Sequence, residues 1–306
     1  MKKSYIQPQV LQSGDRVGIV ATAGKVKTGS LDQGIKLLQQ WGFQVICGPN
    51  LFQGHGYFAG TDAQRAADLQ MMLDDPSIKA IFCARGGYGT TRMIDSIDFT
   101  HFQQQPKWLI GFSDVTTLHQ HIHRLGIQSI HGQTVSALSE SQASSSIKKV
   151  LLGGAYSIES PAHQANRLGQ AEGVLVGGNL SLLCNLIGTA SAIDTRGKIL
   201  FIEEVSEPLY HFDRMLVQLA RAGKLSELSG LIIGELSSMT NPENKFTLTA
   251  EEIVLEKVAN FNYPVCFDFP VGHIKNNWAM PCGRWSVLDV NTKHVSLRFD
   301  VGEGTS

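Results

Sequence analysis

The sequence lacks the features that mark several large classes of protein. Its five cysteines are widely spaced and form no C-x-x-C pair, which argues against a zinc site or a redox dithiol. Its 26 Lys and Arg nearly balance its 27 Asp and Glu, so no basic excess indicates a nucleic-acid partner. No stretch approaches about 18 consecutive apolar residues, and Gln7, Gln9 and Gln12 interrupt the segment after the N-terminal lysines. We therefore expect a globular, cytoplasmic protein with reduced cysteines that binds neither nucleic acid nor membrane.

The common cofactor and metal motifs are also missing. The segment ARGGYG (84–89) is rich in glycine but does not have the G-x-G-x-x-G spacing of a dinucleotide loop. The stretch 18–25 is one residue too long for a phosphate-binding P-loop, and Val26 stands where a hydroxyl should bind magnesium. His119 and His123 lie four residues apart but lack the glutamate of H-E-x-x-H. We expect no metal and no cofactor; the glycines of 84–89 either permit a tight turn or direct N–H groups at a reacting oxygen.

The first half of the chain, residues 1–145, alternates strand-like and helix-like segments. Thr61 and Gln64 have the Thr-x-x-Gln form of a capping box and predict a helix that continues to about Asp75. Apolar runs predict strands at 16–24, 43–48, 79–87, 107–113 and 128–132, and helical patterns occur at 31–42, 90–98 and 114–126. Apolar strands separated by helices of this length predict parallel βαβ units in an α/β domain.

The remainder of the chain predicts a linker and a second domain. Residues 139–171 are rich in Ser, Gln and Ala and mark the domain boundary. Within them, 146–171 are predicted to be the linker, with one helix indicated by Ile147, Val150, Leu151 and Leu152, and 172–306 are predicted to form the second domain. Its predicted strands are 173–179, 198–205, 230–236 and 263–273, and its predicted helices are 180–188, 210–225 and 248–261. The alternation over 284–299, with a turn at Asn291, predicts a terminal hairpin.

Ser113 stands where a predicted strand ends and a predicted helix begins, in the segment GFSDV. A serine there can be an N-cap, whose side chain accepts a backbone N–H. It can also be a nucleophile on a strand-to-helix elbow. Gly111 agrees with the elbow pattern G-x-S-x-G, but Val115 replaces its second glycine. The local spacing leaves both interpretations open.

A nucleophilic serine needs a histidine base and usually an acid that orients the histidine. His273 is the best placed of the ten histidines, because it follows the strand-like segment FDFPVG. Glu203 and Glu204 end the apolar strand KILFI, where an unpaired carboxylate would be costly to bury. Adjacent strand residues face opposite sides, so one of the two can face solvent, and a structural salt bridge is the alternative role. Spacing alone does not bring Ser113, the acid and His273 together.

Five motifs in this order resemble the LD-carboxypeptidase family, which includes murein tetrapeptide carboxypeptidases and related microcin-immunity peptidases. They are RGGYG, GFSDVT, GGNL-S-LL, FIEEVSEP followed by DRML, and the PVGH segment with PCG downstream. The resemblance as a whole runs in order from about residue 16 to residue 290, which is nearly the whole chain.

The resemblance implies a fold and a catalytic triad. The fold is an N-terminal Rossmann-like or flavodoxin-like parallel-sheet domain followed by a C-terminal β-rich swivelling domain. The implied triad is divided between the domains, with Ser113 as nucleophile, His273 as base and Glu203 as orienting acid. The implied oxyanion-hole donors are the backbone N–H groups of Gly87 and Asp114. Homodimers are common in this family, so we expect a homodimer.

The activity implied is release of the terminal D-alanine from murein tetrapeptides during peptidoglycan recycling, with a murein peptide as substrate. Glu204 stands where many members have aspartate, so the resemblance leaves the orienting acid open between Glu203 and Glu204. Residues proposed to contact the substrate are Arg85, Gly86, Tyr88, Asn179 and Trp278. Arg85 is a candidate for the carboxylate of the D-residue, and Asn179 either bonds the substrate or fixes its loop.

Two alternatives remain at this point. A microcin-immunity-type peptidase would hydrolyse peptidyl- or aminoacyl-nucleotides and would need an aromatic residue to stack on the base. Trp278 is a candidate for that contact, and packing is its other interpretation. The second alternative is a non-catalytic module that binds a sugar or a nucleotide on its Rossmann-like half.

Overall fold

The computed structural model describes residues 5–241 and 246–300, which divide into two compact units. Unit 1 holds residues 5–156 and 278–283, and unit 2 holds 157–277 and 284–300, within the described ranges. The chain therefore enters unit 2, returns briefly to unit 1 and ends its described part in unit 2.

Unit 1 is built on a sheet of six strands, numbered here in chain order. The strands are β1 (Arg16–Val20), β2 (Gln44–Cys47), β3 (Ile78–Cys83), β4 (Trp108–Gly111), β5 (Ser129–His131) and β11 (Met280–Cys282). Their order across the sheet is β11-β5-β4-β3-β1-β2, and only β11 runs antiparallel to its neighbour. The helices are α1 (Asp32–Gln40), α2 (Asp62–Asp74), α3 (Thr100–Gln104), α4 (Thr116–Arg124) and α5 (Gln142–Leu151). The predicted parallel α/β domain is confirmed.

Local sequence explains why these elements form. The capping box at the start of α2 is present in both directions, since Gln64 N–H bonds to the Thr61 hydroxyl and Thr61 N–H bonds to the Gln64 side chain. Strand β4 is buried along its whole length, as expected of an inner parallel strand that is apolar throughout. The segment predicted as a helix over 90–98 instead forms two short 3₁₀ turns, at Thr90–Arg92 and Ile94–Ser96.

Unit 2 contains a seven-stranded mixed sheet. Its strands are β6 (Ser157–Pro161), β7 (Gly169–Asn179), β8 (Ile199–Val205), β9 (Gly230–Ser237), β10 (Val265–Cys266), β12 (Trp285–Val290) and β13 (His294–Phe299). The order is β10-β9-β8-β7-β12-β13-β6, with β7 to β10 parallel and the other pairs antiparallel. Its helices are α6 (Leu180–Asn185), α7 (Leu209–Arg221) and α8 (Ala250–Lys257). The predicted β-rich second domain and its terminal hairpin, β12–β13, are confirmed.

The division into units differs from the linker predicted at 146–171. Helix α5 reaches into that range and buries Ile147, Val150 and Leu151 within unit 1. Strand β6 then pairs with β13 in unit 2, so the change of unit falls between Tyr156 and Ser157. The helix predicted inside the linker is confirmed as α5, whereas the polar composition of this stretch concealed a strand at the sheet edge.

Two further segments differ from their predictions. Residues 278–283, predicted as part of the second domain, add β11 to the sheet of unit 1. The strand predicted over 263–273 forms a regular ladder only at Val265 and Cys266, and Asp268 just after them has a left-handed φ of 54°. Beyond this kink the segment still bonds to β9, since Phe269 N–H donates to the Ile233 carbonyl and Glu235 N–H donates to the Val271 carbonyl. Within the described residues, no helix combines the length and the apolar character needed to cross a bilayer.

Candidate active site

Ser113 lies on a sharp turn between β4 and α4. Phe112 is extended, Ser113 has a left-handed φ of 65°, and a 3₁₀ turn over Ser113–Val115 leads directly into α4. This conformation costs a side-chain-bearing residue about 1–2 kcal/mol. The N-cap positions of the 3₁₀ turn and of α4 are Phe112 and Val115, so Ser113 is the N-cap of neither element. The N-cap interpretation of Ser113 is therefore wrong, and its backbone is that of an elbow.

Glycine is required at two positions that contact this turn, Gly111 within it and Gly86 on the loop beside it. A Cβ on Gly111 would lie 2.9 Å from a methyl group of the buried Val115, so the residue that replaces the second elbow glycine packs against the first. A Cβ on Gly86 would lie 2.9 Å from Ser113 Cβ and 3.0 Å from its Oγ. The glycine-rich loop 84–89 thus passes directly over the serine. Gly87 follows with φ of 122°, a conformation that other residues rarely adopt.

His119 supports the elbow from inside unit 1. It is fully buried, with Nε2 2.8 Å from the Gly111 carbonyl and Nδ1 2.8 Å from the Ser129 hydroxyl. Burial lowers the pKa of His119 to about 4, against the opposing effect of the Gly111 carbonyl. The ring is therefore neutral at neutral pH and connects β4 to β5. His123 instead stacks on Tyr5, with ring centroids 4.5 Å apart.

In unit 2, Glu203 and His273 form a hydrogen-bonded pair. Glu203 lies near the end of β8 with 0% of its surface exposed, and its Oε2 is 2.7 Å from His273 Nδ1. If Nδ1–H donates to this carboxylate, the neutral ring carries its lone pair on Nε2. Such an arrangement fits a histidine that accepts a proton on the side remote from the acid.

Glu204 has a different set of partners. Its carboxylate accepts hydrogen bonds from Asn179 Nδ2 at 2.9 Å, from Ser181 N–H and Oγ at 2.7 Å each, and from Val205 N–H at 2.9 Å. These contacts tie the end of β8 to the start of α6. The two adjacent carboxylates therefore face opposite sides of the strand, and the one that meets His273 is Glu203.

The pair shifts the proton affinities of both its members. Burial raises the pKa of Glu203, while the hydrogen bond and charge of His273 oppose that rise. Burial lowers the pKa of His273, but the hydrogen bond and charge of Glu203, with a contribution from Glu204, outweigh it, so the net pKa is raised. A buried carboxylate beside an imidazole thus favours the imidazolium and makes the ring a stronger base.

Gly272 allows Glu203 and His273 to meet. It has φ of 126°, and a Cβ there would lie 2.9 Å from Glu203 Cβ and 3.1 Å from its Oε2. The Gly272 N–H is held at 3.0 Å by the side-chain oxygen of Asn277, which is buried. The position therefore needs glycine both for its backbone conformation and for the approach of the carboxylate.

We expect the Gly272→Ala variant to unfold with a free energy about 1–3 kcal/mol lower than the parent chain. The added methyl group contacts Glu203, and alanine rarely adopts the φ of 126° found at this position. Urea denaturation measures the change. Gly188→Ala is the matched control, because Gly188 has φ of 88° and open space around its Cβ position. An equal loss of unfolding free energy in the two variants would show that the contact with Glu203 adds nothing to the effect of φ.

The residues proposed to contact the substrate lie in both units. Arg85 Nη1 donates to the Lys25 carbonyl at 2.9 Å, and Tyr88, 49% exposed, has its ring 5.7 Å from that of Phe58. In unit 1, Trp278 stacks on Tyr156 with ring centroids 6.4 Å apart.

Asn179 lies in unit 2 at the start of α6. Its oxygen accepts the Leu182 N–H at 3.3 Å, and its Nδ2 donates to Glu204. Both ends of this amide hold the loop, and its contact with substrate stays a prediction.

Sequence reasoning missed several residues that hold these sites, namely Arg65, Ser181 and Asn277. Arg65 lies in α2 and is 1% exposed, although arginine is almost never fully buried unless it is paired. No signal in a single sequence identifies it. Among the described residues, no group of three or more His, Cys, Asp or Glu side chains is arranged to hold a metal ion.

Family models match both halves of the chain. One described as the LD-carboxypeptidase N-terminal domain matches residues 17–132, and one described as the LD-carboxypeptidase C-terminal domain matches 172–288. A probable murein peptide carboxypeptidase of Bacillus subtilis (strain 168) is 35% identical and aligns over 97% of this chain and 96% of its own length.

Solved structures agree with the family match. A crystal structure of muramoyltetrapeptide carboxypeptidase from Oxalobacter formigenes is 26% identical, with a TM-score of 0.85 over 93% of this chain and 98% of that chain. The microcin C7 self-immunity protein in complex with aspartyl sulfamoyl adenosine is 20% identical, with a TM-score of 0.85 over 97% of this chain and 99% of that chain. The second likeness extends to the fold alone.

Proposed function

Because this chain belongs to the LD-carboxypeptidase family, we propose that it releases the terminal D-alanine from murein tetrapeptides with Ser113 as its nucleophile. Family membership makes the chain a carboxypeptidase and hence a hydrolase. The name of the Bacillus relative supports a murein peptide as the substrate, and that of the Oxalobacter protein supports a muramoyltetrapeptide. The 2.7 Å contact between Glu203 and His273 is the observation that carries the assignment of a base and its orienting acid.

In the proposed reaction, Ser113 Oγ attacks the carbonyl carbon of the bond to D-alanine while His273 Nε2 takes the hydroxyl proton. The negative charge of the tetrahedral intermediate then forms on the carbonyl oxygen. The N–H groups of Gly87 and Asp114 stabilise it, because Asp114 follows the serine, Gly87 follows the Gly86 that lies against it, and α4 begins just beyond. The C–N bond breaks, and His273 returns its proton to the departing amine.

The second half of the reaction regenerates the enzyme. Water attacks the acyl-serine ester, His273 takes the proton from that water, and collapse of the intermediate returns it to Ser113 Oγ. Throughout, the Glu203 carboxylate stabilises the imidazolium and keeps Nδ1 protonated. No metal or cofactor enters this scheme.

Release of D-alanine from a purified murein tetrapeptide is the direct test. Two versions of the peptide, with meso-diaminopimelate or lysine before the D-alanine, establish which diamino acid is accepted. The same peptide with a terminal L-alanine is the control for stereochemistry. Absence of free D-alanine from both versions would contradict the proposal. Cleavage of an aminoacyl sulfamoyl adenosine instead would favour the microcin-immunity type, and binding without turnover would favour a non-catalytic module.

The proposal includes a cellular setting and an assembly. The enzyme acts in the cytoplasm on peptides recovered from the wall, where removal of D-alanine commits them to reuse, and it acts as a homodimer. Cell fractionation tests the first statement. Light scattering on the purified protein tests the second, and a mass equal to one chain at working concentration would exclude the dimer.

A further inference from the structure

Unit 1 contains several buried charged side chains that its proposed chemistry does not use, and two of them contact the glycine-rich loop or the residue after it. Arg65 on α2 and Asp114, the residue after Ser113, are each 1% exposed. Replacement of buried ionic groups by apolar residues of similar volume is often neutral or stabilising, so their presence is weak evidence for a role in stability. Their positions relative to the glycine-rich loop indicate another role.

Asp114 joins the elbow to the far end of the glycine-rich loop. Its Oδ2 accepts the Thr90 N–H at 2.8 Å, and the Thr90 hydroxyl donates to the Thr22 hydroxyl at 3.1 Å. The side chain of Asp114 therefore fixes the loop that carries Gly87, while its backbone N–H lies beside Ser113. One residue connects the two proposed oxyanion donors.

Arg65 holds the same loop from the other side. Its Nη1 donates to the Gly89 carbonyl at 2.8 Å and to the Thr22 carbonyl, and its Nη2 pairs with Asp62 at the start of α2. The guanidinium also lies over the Phe58 ring, 5.1 Å from its centroid. Gly89, with φ of 147°, leaves little room beside the guanidinium, since a Cβ there would lie 2.7 Å from Nη1. The exit of the loop is thus fixed by a rigid planar group.

We propose that Asp114 and Arg65 are positioning residues, which hold the N–H groups of Gly87 and Asp114 in place for the oxyanion of the reaction. The inference rests on the proposed function, because it needs a tetrahedral intermediate. An oxyanion hole works only when its donors are fixed before charge develops, and a displacement of about 1 Å can cost 10²-fold in rate. Loss of the Asp114 carboxylate frees Thr90, and with it the loop.

The test compares Asp114→Ala and Asp114→Asn with Asp68→Ala in D-alanine release. Asp68 is the matched control, because it is likewise buried, at 2% exposed, lies in unit 1, and accepts hydrogen bonds from another loop residue, Asn50, at 2.7 and 3.0 Å. We expect Asp114→Ala to lower kcat by about 10- to 100-fold with KM changed less than about threefold. Asp114→Asn, which keeps an oxygen acceptor for Thr90, is expected to recover part of that loss, and Asp68→Ala to keep kcat within about twofold.

Amide hydrogen exchange gives a readout that is independent of turnover. Each substitution is combined with Ser113→Ala, and exchange is followed for peptides covering 84–92. We expect faster exchange there in the Asp114→Ala and Arg65→Met backgrounds but not with Asp68→Ala.

The outcomes separate this inference from the proposed function. Unchanged exchange in 84–92, unchanged kcat in Asp114→Ala, or an equal loss of kcat in Asp68→Ala would each overturn the positioning role while leaving the carboxypeptidase assignment intact. A wild-type chain that releases no D-alanine would overturn both.

Discussion

The Ser113→Ala variant is expected to release D-alanine with a kcat/KM lower by about 10⁴-fold or more, because no other group can form the acyl-enzyme. Binding of the tetrapeptide should change little, since only one oxygen atom is removed. Steady-state kinetics and calorimetric titration measure the two quantities on the same preparation. Labelling by a fluorophosphonate probe provides a third measurement. The probe should label the parent chain at Ser113 and leave the variant unlabelled.

A Ser113→Gly variant separates two effects of the substitution, the loss of the hydroxyl and the change in backbone strain. Ser113 has φ of 65°, which glycine adopts freely and alanine does not. We expect both variants to be inactive and the glycine variant to be more stable than the alanine variant by about 1 kcal/mol in urea unfolding. Retention of activity in either variant would exclude Ser113 as the nucleophile. Equal stabilities would mean that the elbow is not strained.

The architecture of unit 1 could be predicted from sequence because local and long-range signals agree there. Runs such as WLIG in β4 are apolar throughout, and the capping box of α2 marks its start. The predictions failed where a segment obtains its structure from a distant partner. Strand β11 pairs with β5, although about 150 residues separate them, and its three residues carry no periodic pattern. The boundary near Tyr156 was hidden for the same reason, since β6 pairs with the C-terminal β13.

The candidate site divides in the same way. The position of Ser113 follows from the local junction of strand and helix, and its left-handed backbone distinguishes an elbow from a cap. The pairing of His273 with Glu203, 70 residues apart, depends on how β8 and the loop after β10 meet. The neighbouring Glu204 is the same residue type, so the sequence does not distinguish the two. Only the direction of each side chain shows which of them contacts His273. Arg65 could not be found, because its burial depends on loops that single-sequence patterns do not place.

Glu203→Gln is expected to lower kcat by about 10³- to 10⁴-fold while leaving the fold intact. The amide keeps the shape of the side chain but can donate to His273 Nδ1 and so favour the wrong tautomer. Glu203 is fully buried and burial raises its pKa, so a neutral replacement removes a desolvation penalty rather than adding one. Steady-state kinetics and urea unfolding of the same variant should therefore give a large loss of rate and little loss of stability.

Glu204→Gln is the matched control for that substitution. Glu204 accepts hydrogen bonds from the backbone N–H groups of Ser181 and Val205 and from two side chains. We expect its amide variant to be destabilised by about 1–3 kcal/mol, with a loss of kcat far smaller than that of Glu203→Gln. The opposite ranking of the two variants would assign the orienting acid to Glu204.

The direction in which the acidic limb of the kcat/KM profile shifts distinguishes an orienting acid from a structural one. His273 accepts a proton only when it is neutral, so activity falls as the pH drops below its pKa. Glu203 helps to raise that pKa above the ordinary value of 6.5, which places the acidic limb of the parent profile above pH 6.5. Glu203→Gln removes the charge and leaves the effect of burial, so its residual activity should show an acidic limb at lower pH. An acidic limb that stays at the same pH or moves to higher pH would show that Glu203 does not act through His273.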